Sequence, residues 1–363
     1  MKNIVQTVTL TIFAISLSIF PAPAQTKNTA ALTVSGQWFI SCQTGKTGDK
    51  YASNFSVKRG YINIKKRLTD RISGRITPDI SVDREGDGEG DLEMRLKYCY
   101  MDIVLDTMSF MVKPHVEFGL VHPPWIDFEQ SINLYRMQDP MFLDRNKILN
   151  SADFGITFFS LLGGEMDDDY QKNVSSKNPG KYGSVAAGIY NGGGYHAIER
   201  NNNKTIEARM TLRPVPSFIP GLQVSYHGIT GKGNTAKNPD WTLNACFVSL
   251  ENLRYVITGM YFSGVGNFKG SAVNGSGDAM DQSGYSLFGE LKIFKRKFRL
   301  IGRYDMFDDK PDTDDNNLKR IIAGIAYHIH GKTKALLDYD ISTRNSWSGY
   351  EEARTQFTIE YNF

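Results

Sequence analysis

Beyond its first two dozen residues, the chain has no apolar run approaching the ~20 residues that a helix needs to cross a bilayer. Cysteine is scarce too: Cys42, Cys99 and Cys246 are three residues at no metal-ligand spacing. An odd, scattered set of this kind is no disulfide framework, and the three read as small strand residues. Charge of one sign is also lacking. A formal net charge of +3 over 363 residues gives no basis for a nucleic-acid partner or an acidic docking surface. None of the six histidines (115, 122, 196, 227, 328 and 330) lies in a Gly-x-Ser-x-Gly or His-Glu-x-x-His context, so no hydrolase motif is present and an enzyme is not expected. The acidic stretches 86–91 and 308–315 lack the Gly and Glu spacing of a calcium loop, and they read as solvated loops. No metal ligand set and no cofactor are expected.

What is present begins with the amino-terminus. Lys2 precedes an apolar run from Ile4 to Phe20, and Ala22-Pro23-Ala24 follows before Gln25. This is the pattern of a cleaved secretory signal peptide over residues 1–24. An exported chain without spanning helices can still span a bilayer as a closed barrel, because lipid offers no partner to unpaired backbone groups.

The carboxy-terminus fits that reading. Phe357, Ile359, Tyr361 and Phe363 alternate with Gln356, Thr358, Glu360 and Asn362, giving a strand with one apolar and one wet face. An aromatic carboxy-terminus of this form resembles the signal that outer-membrane barrels present to their assembly machinery. Those four apolar residues are therefore the expected assembly signal.

Between the termini, alternating segments are separated by turn chemistry. Strands are expected at 31–43, 53–67, 70–83, 92–105, 108–121, 152–163, 182–191, 204–214, 221–230, 241–250, 253–264, 284–294, 297–307, 319–329, 333–342 and 352–363. The expected fold is thus all-β, a transmembrane antiparallel β-barrel of about sixteen strands over residues 25–363. Short connections at 68–70, 106–107, 251–252, 295–296 and 330–332 alternate with longer polar ones at 44–52, 84–91, 122–151, 192–203, 231–240, 265–283, 308–318 and 343–351. Segment 164–181 is too long for the short turn that this alternation calls for.

Charges fall on one parity in the cleanest strands. Glu207, Arg209 and Arg213 oppose Ile206, Met210 and Leu212; Arg299, Arg303 and Asp305 oppose Phe298, Leu300 and Tyr304. A mid-bilayer Arg or Lys costs about 2–4 kcal/mol, so the charged parity is the lumenal one. Segment 53–67 breaks the rule, because Lys58 and Arg59 are consecutive. A barrel this wide leaves an aqueous lumen.

Candidate lumen cations are Arg75, Arg95, Lys97, Arg209, Arg213, Arg254, Arg299, Arg303 and Arg320. Asp79, Glu93, Glu207, Glu290, Asp305, Asp338 and Asp340 share their faces. Loop 122–151 is the one long loop rich in apolar residues, such as Trp125, Phe128, Tyr135 and Phe142. Folding it against the inner wall would bury these and set Asp127, Glu129, Arg136, Asp139, Asp144, Arg145 and Lys147 at a constriction. Contact with a neighbouring subunit is the rival fate.

Four stretches resemble the phosphate-selective porin O/P family. They are residues 54–81; Val116 to Pro124, with His122 where that family has Lys; Phe142 to Arg145 and Ser151 to Gly155, with Asp144 for Glu and Ala152 for Arg; and Ala186 to Gly192. The resemblance implies a sixteen-stranded, homotrimeric outer-membrane porin of a Gram-negative bacterium, with a long loop folded inward. Its partners would be membrane lipid and lipopolysaccharide, the barrel assembly machinery, and small hydrophilic solutes or anions. The mixed lumenal charge points to passive diffusion with a weak anion preference rather than tight phosphate binding. The alternative is a non-conducting barrel that acts as an adhesin or receptor through its loops.

Overall fold

The structure, a computed structural model, describes residues 32–83, 88–309, 317–344 and 351–363. The expected signal peptide lies outside the described residues, as do 84–87 and 310–316 of the two acidic loops. The strands are β1 (Leu32–Thr47), β2 (Lys50–Arg67), β3 (Ile72–Val82), β4 (Leu92–Val104), β5 (Met111–Val121), β6 (Asp153–Leu162), β7 (Gly183–Tyr190) and β8 (Thr205–Leu212). They continue as β9 (Leu222–Lys232), β10 (Asp240–Glu251), β11 (Tyr255–Val265), β12 (Asp281–Ile293), β13 (Phe298–Asp308), β14 (Leu318–His330), β15 (Thr333–Thr343) and β16 (Glu352–Asn362). Each pairs antiparallel with the next, and β1 pairs with β16. The sixteen expected strands all form, and closure leaves no edge whose backbone would face lipid unpaired.

The closing seam pairs Gln37 with Asn362 through Thr47 with Glu352, and Phe363 extends it. Phe363 exchanges backbone hydrogen bonds with Gly36, at 3.0 and 3.2 Å. Its ring covers Gly36 so closely that a Cβ there would lie 2.3 Å from the ring. Phe357, Tyr361 and Phe363 are outward and exposed, while Gln356, Thr358 and Glu360 are buried inside. The same alternation runs through β8, β12, β13 and β15, on the parity expected from their charges.

Three differences from simple alternation matter. First, β1 and β2 run further than expected, so the loop expected at 44–52 is only Gly48 and Asp49, with Gly48 at φ +56° making the tight turn. Second, two β-bulges reset the parity of one wall. Opposite β1, Phe39 pairs with Arg59 and Ile40 with Val57, which leaves Lys58 as the extra residue. Opposite β3, Thr77 pairs with Tyr98 and Pro78 with Leu96, which leaves Lys97 extra. A bulge places two residues against one, so Lys58 and Arg59, and likewise Lys97 and Tyr98, all reach the interior. Third, the inner face of β10 is apolar rather than wet: Trp241, Leu243, Ala245 and Phe247 are buried there.

That apolar inner face receives the segment between β5 and β6. Trp125 packs edge-on against Phe247, with ring centroids 5.4 Å apart, and stacks on His227 at 5.1 Å. Phe142 meets Phe262 at 5.7 Å, and Tyr135 meets Phe288 at 6.1 Å. A continuous apolar cluster therefore lies inside the barrel, chiefly between this segment and β9–β14, and reaches Phe39, Tyr61 and Leu336. Segment 163–182 also turns inward. It hides no missed strand but a short helix, Asp168–Asn173, capped by the Asp167 side chain, which accepts from Tyr170 N at 2.7 Å.

Candidate functional site: the constricted lumen

The segment 122–151 is held from both sides. Short helices form at Ile126–Ile132 and Phe142–Arg145, and the apolar residues of both turn toward the wall. The Trp125 indole donates to Glu129 at 2.9 Å, and the Tyr135 hydroxyl donates to Glu290 at 2.9 Å. Arg209 donates to the Pro124 carbonyl at 3.0 Å, and Arg303 to that of Pro140 at 3.4 Å. Near the tip, Lys58 donates to the carbonyls of Met137 and Gln138, at 2.9 and 3.2 Å. Asp139 is shared between Lys58, at 3.1 Å, and Arg354 of β16.

These contacts set the charge state of the loop. Burial favours the neutral form of Asp139, but Lys58 and Arg354 outweigh it and hold the carboxyl below its usual range. Burial pushes Glu129 up to about 7, against the opposing pull of Arg303 and the Trp125 indole. Burial and the nearby Arg303 bring Arg145 down to about 10.

Across from the tip lies an open vestibule of about 1130 Å³, lined by the ends of β1–β4 and β16 and by Arg136, His196 and Lys269. Seven cations line it against four carboxylates. Arg136 has no carboxylate within ion-pair distance among the described residues. Below the vestibule, Lys97 sits among three tyrosine rings, 4.8 Å from the centroid of Tyr61, 5.6 Å from Tyr98 and 5.9 Å from Tyr195. Arg59 pairs with Asp79 at 2.8 Å, and Asp79 also accepts from the Tyr195 hydroxyl at 2.9 Å. Deeper still, Arg75 is held by Asn63 at 2.7 Å, Thr77 at 2.9 Å and His122 at 3.1 Å.

The long segment 163–182 reaches this level from the other end. Asn178 donates to Ser131 of the inward loop at 3.4 Å, and Arg213 donates to Tyr170 at 3.1 Å. Asp127 is exposed to the lumen there. Desolvation between the facing lumen walls favours its neutral form, but His122, Lys177, Arg75 and Lys65 hold its carboxyl below the ordinary range. The lumen is thus narrowed from both ends.

The residues singled out in the sequence divide into groups. Arg75 is half-buried and Lys97 buried among its tyrosine rings on the inner wall, and Arg95 and Arg136 line the vestibule, with Arg95 paired to Glu93 at 2.5 Å. Arg209 is fully enclosed behind the loop and lies over Phe128 at 4.1 Å, while Arg213 is packed beneath segment 163–182. Arg299, Arg303 and Arg320 pair with Glu290, Asp305 and Asp340 at 2.8, 2.9 and 2.8 Å. Arg254 is not on the wall: it stands exposed on the turn after β10, because β10 ends at Glu251. Within the loop, Asp127, Arg136 and Asp139 lie toward the path, and Glu129 is buried in the loop packing. Arg145 approaches Asp305 at 3.5 Å, Asp144 is half-buried, and Lys147 is exposed. Lys58, Arg59, Tyr61, Tyr98 and Tyr195 were missed. The one signal for the first two was the break in parity at Lys58 and Arg59.

No protein-family model matches the chain, so the resemblance to the phosphate-selective porin O/P family is not established, and no curated protein matches it. Solved structures do match. An anion-selective porin from Comamonas acidovorans aligns over 92% of this chain and 100% of its own, with a TM-score of 0.63 at 10% identity. This is a porin-type barrel fold. The outer-membrane channel DcaP of Acinetobacter baumannii covers 94% of this chain and 100% of its own, with a TM-score of 0.56 and 13% identity. OmpT, an outer-membrane protein of Vibrio cholerae solved in a trimer form, covers 92% and 100%, with a TM-score of 0.57 and 11% identity. At these identities the likeness concerns the fold.

Proposed function

We propose that this barrel is a Gram-negative outer-membrane porin that passes small hydrophilic solutes by passive diffusion, without a chemical step, and favours anions modestly. The carrying observation is the wall of β2–β4. There Lys97 and Arg75 lie on the lumenal side with no carboxylate within ion-pair distance among the described residues, below a vestibule in which cations outnumber carboxylates. Fixed cations along a narrow path raise the local concentration of anions. Screening over about 8–10 Å in ordinary salt keeps the effect modest. The nearby acids Asp79 and Asp127 reduce it further.

Assembly as a homotrimer, insertion by the barrel machinery through the Phe363 strand, and contact with lipopolysaccharide belong to the same reading. The test is the reversal potential of a planar bilayer in a salt gradient. A potential on the anion side that shrinks as salt rises is expected. A barrel that carries no current would favour the adhesin or receptor reading. Block of chloride current by micromolar phosphate would replace weak preference by a binding site.

A further inference from the structure

The end of the barrel that carries Phe363 has an uneven charge distribution. The Asn362 side chain donates to the Lys332 carbonyl at 3.2 Å, which places the turn between β14 and β15 at that end. Two neighbouring turns join it, 252–254 and 294–297. Together the three carry Arg254, Lys295, Arg296, Lys297 and Lys332 and no carboxylate. All five cations are exposed.

The opposite sector of the same rim is different. There Arg67 pairs with Asp70 at 2.8 Å, Arg71 with Asp106 at 2.7 Å and Lys113 with Glu165 at 2.7 Å. Cations are present in both sectors but uncompensated in one.

The turn 294–297 is built to display its charges. Phe294, Lys295 and Arg296 are all left-handed, at φ +46°, +55° and +65°. Non-glycine residues seldom adopt that conformation, and a run of three is costly. The run leaves Phe294 75% exposed on the outer surface. Its ring meets Phe298 edge-on at 5.9 Å, and Phe298 lies 4.9 Å from Tyr327. An aromatic strip on the lipid-facing side therefore runs directly into three consecutive cations.

We infer that this patch binds an anionic glycerophospholipid of the leaflet at that end of the barrel. Its phosphate would sit on Lys295, Arg296 and Lys297, and its acyl chains along Phe294, Phe298 and Tyr327. Charge complementarity selects the anionic headgroup, and continuity with the lipid-facing wall selects a lipid over a soluble anion. The inference requires that the barrel span a bilayer, but not that it conduct.

The test is native mass spectrometry of the full-length barrel in detergent, titrated with phosphatidylglycerol or with phosphatidylcholine of the same acyl chains. Phosphatidylglycerol should be retained about tenfold more tightly, and the preference should collapse at high salt. Combining Lys295→Gln, Arg296→Gln and Lys297→Gln should abolish the preference. Combining Arg67→Gln, Arg71→Gln and Lys113→Gln removes the same charge from the opposite sector and should leave it intact. Equal retention of the two lipids by the unaltered barrel would overturn the inference with no variant needed. Equal loss in both triple variants would reduce it to bulk charge, and full competition by free glycerol phosphate would show a soluble-anion site instead.

Discussion

Two walls of one lumen treat the same side chains in different ways. Along β12–β16, Arg299, Arg303, Arg320 and Lys334 each meet a carboxylate within 3 Å, on their own or an adjacent strand. Along β2–β4, Lys97 and Arg75 meet tyrosine rings, amides and hydroxyls. The first wall uses its charge to hold the barrel and the inward loop; on the second, Lys58, Arg59 and Arg95 are paired with carboxylates while Lys97 and Arg75 are not. Counting lumenal charges by strand parity averages the two walls and hides the difference. It also counts Arg299 and Arg303 among the lumenal cations on equal terms, whereas both are enclosed within ion pairs.

The comparison can be broken most forcefully by removing residues 125–143. That deletion should raise single-channel conductance severalfold, because it takes the constriction off the open wall. Unchanged conductance would show that the path does not run past the loop.

Next in size is an exchange of roles between the walls. Lys97→Glu should turn the reversal potential toward cations while leaving the heat-induced gel shift in place. Arg303→Ala should do the reverse: it leaves Asp305 with Ser286 at 2.6 Å and the more distant Arg145 at 3.5 Å, and breaking a buried pair costs about 3–5 kcal/mol. The melting temperature should fall and the selectivity should stay. If Arg303→Ala shifted selectivity as strongly as Lys97→Glu, the distinction between the walls would be lost.

A smaller effect is expected at the seam. Gly36→Val would collide with the Phe363 ring, so slower appearance of folded barrel in a refolding time course is expected, with final conductance intact.

The smallest effect concerns Glu129, on the packed side of the loop. Its carboxyl is raised from 4.5 to about 7, so the folded barrel binds the proton more tightly than the unfolded chain does. Stability should therefore fall as pH rises from about 4.5 to about 7 and level off above that. Glu129→Gln keeps an oxygen for the Trp125 indole and should flatten this part of the melting-temperature profile. An identical slope in the variant would place the titration elsewhere.

Much of this architecture is legible along the chain. Strand number, outward face and the aromatic seam follow from period two, because a barrel wall between water and lipid admits only one parity on each side. The apolar content of 122–151 also foretells burial, since Trp125, Tyr135 and Phe142 need a partner that an external loop does not supply. The excess length of 164–181 is likewise visible, although not its inward turn toward Ser131.

What tertiary structure decided is the wall of β2–β4, on which the proposed anion preference rests. Lys58 and Lys97 reach the interior only because a partner strand skips them, and period-two reasoning along one strand has no access to that register. Ion-pair partners are equally remote: Lys58, Asp139 and Arg354 converge from the beginning, middle and end of the chain. Whether a lumenal cation is neutralised depends on distances of a few ångströms between strands that only closure of the barrel brings together.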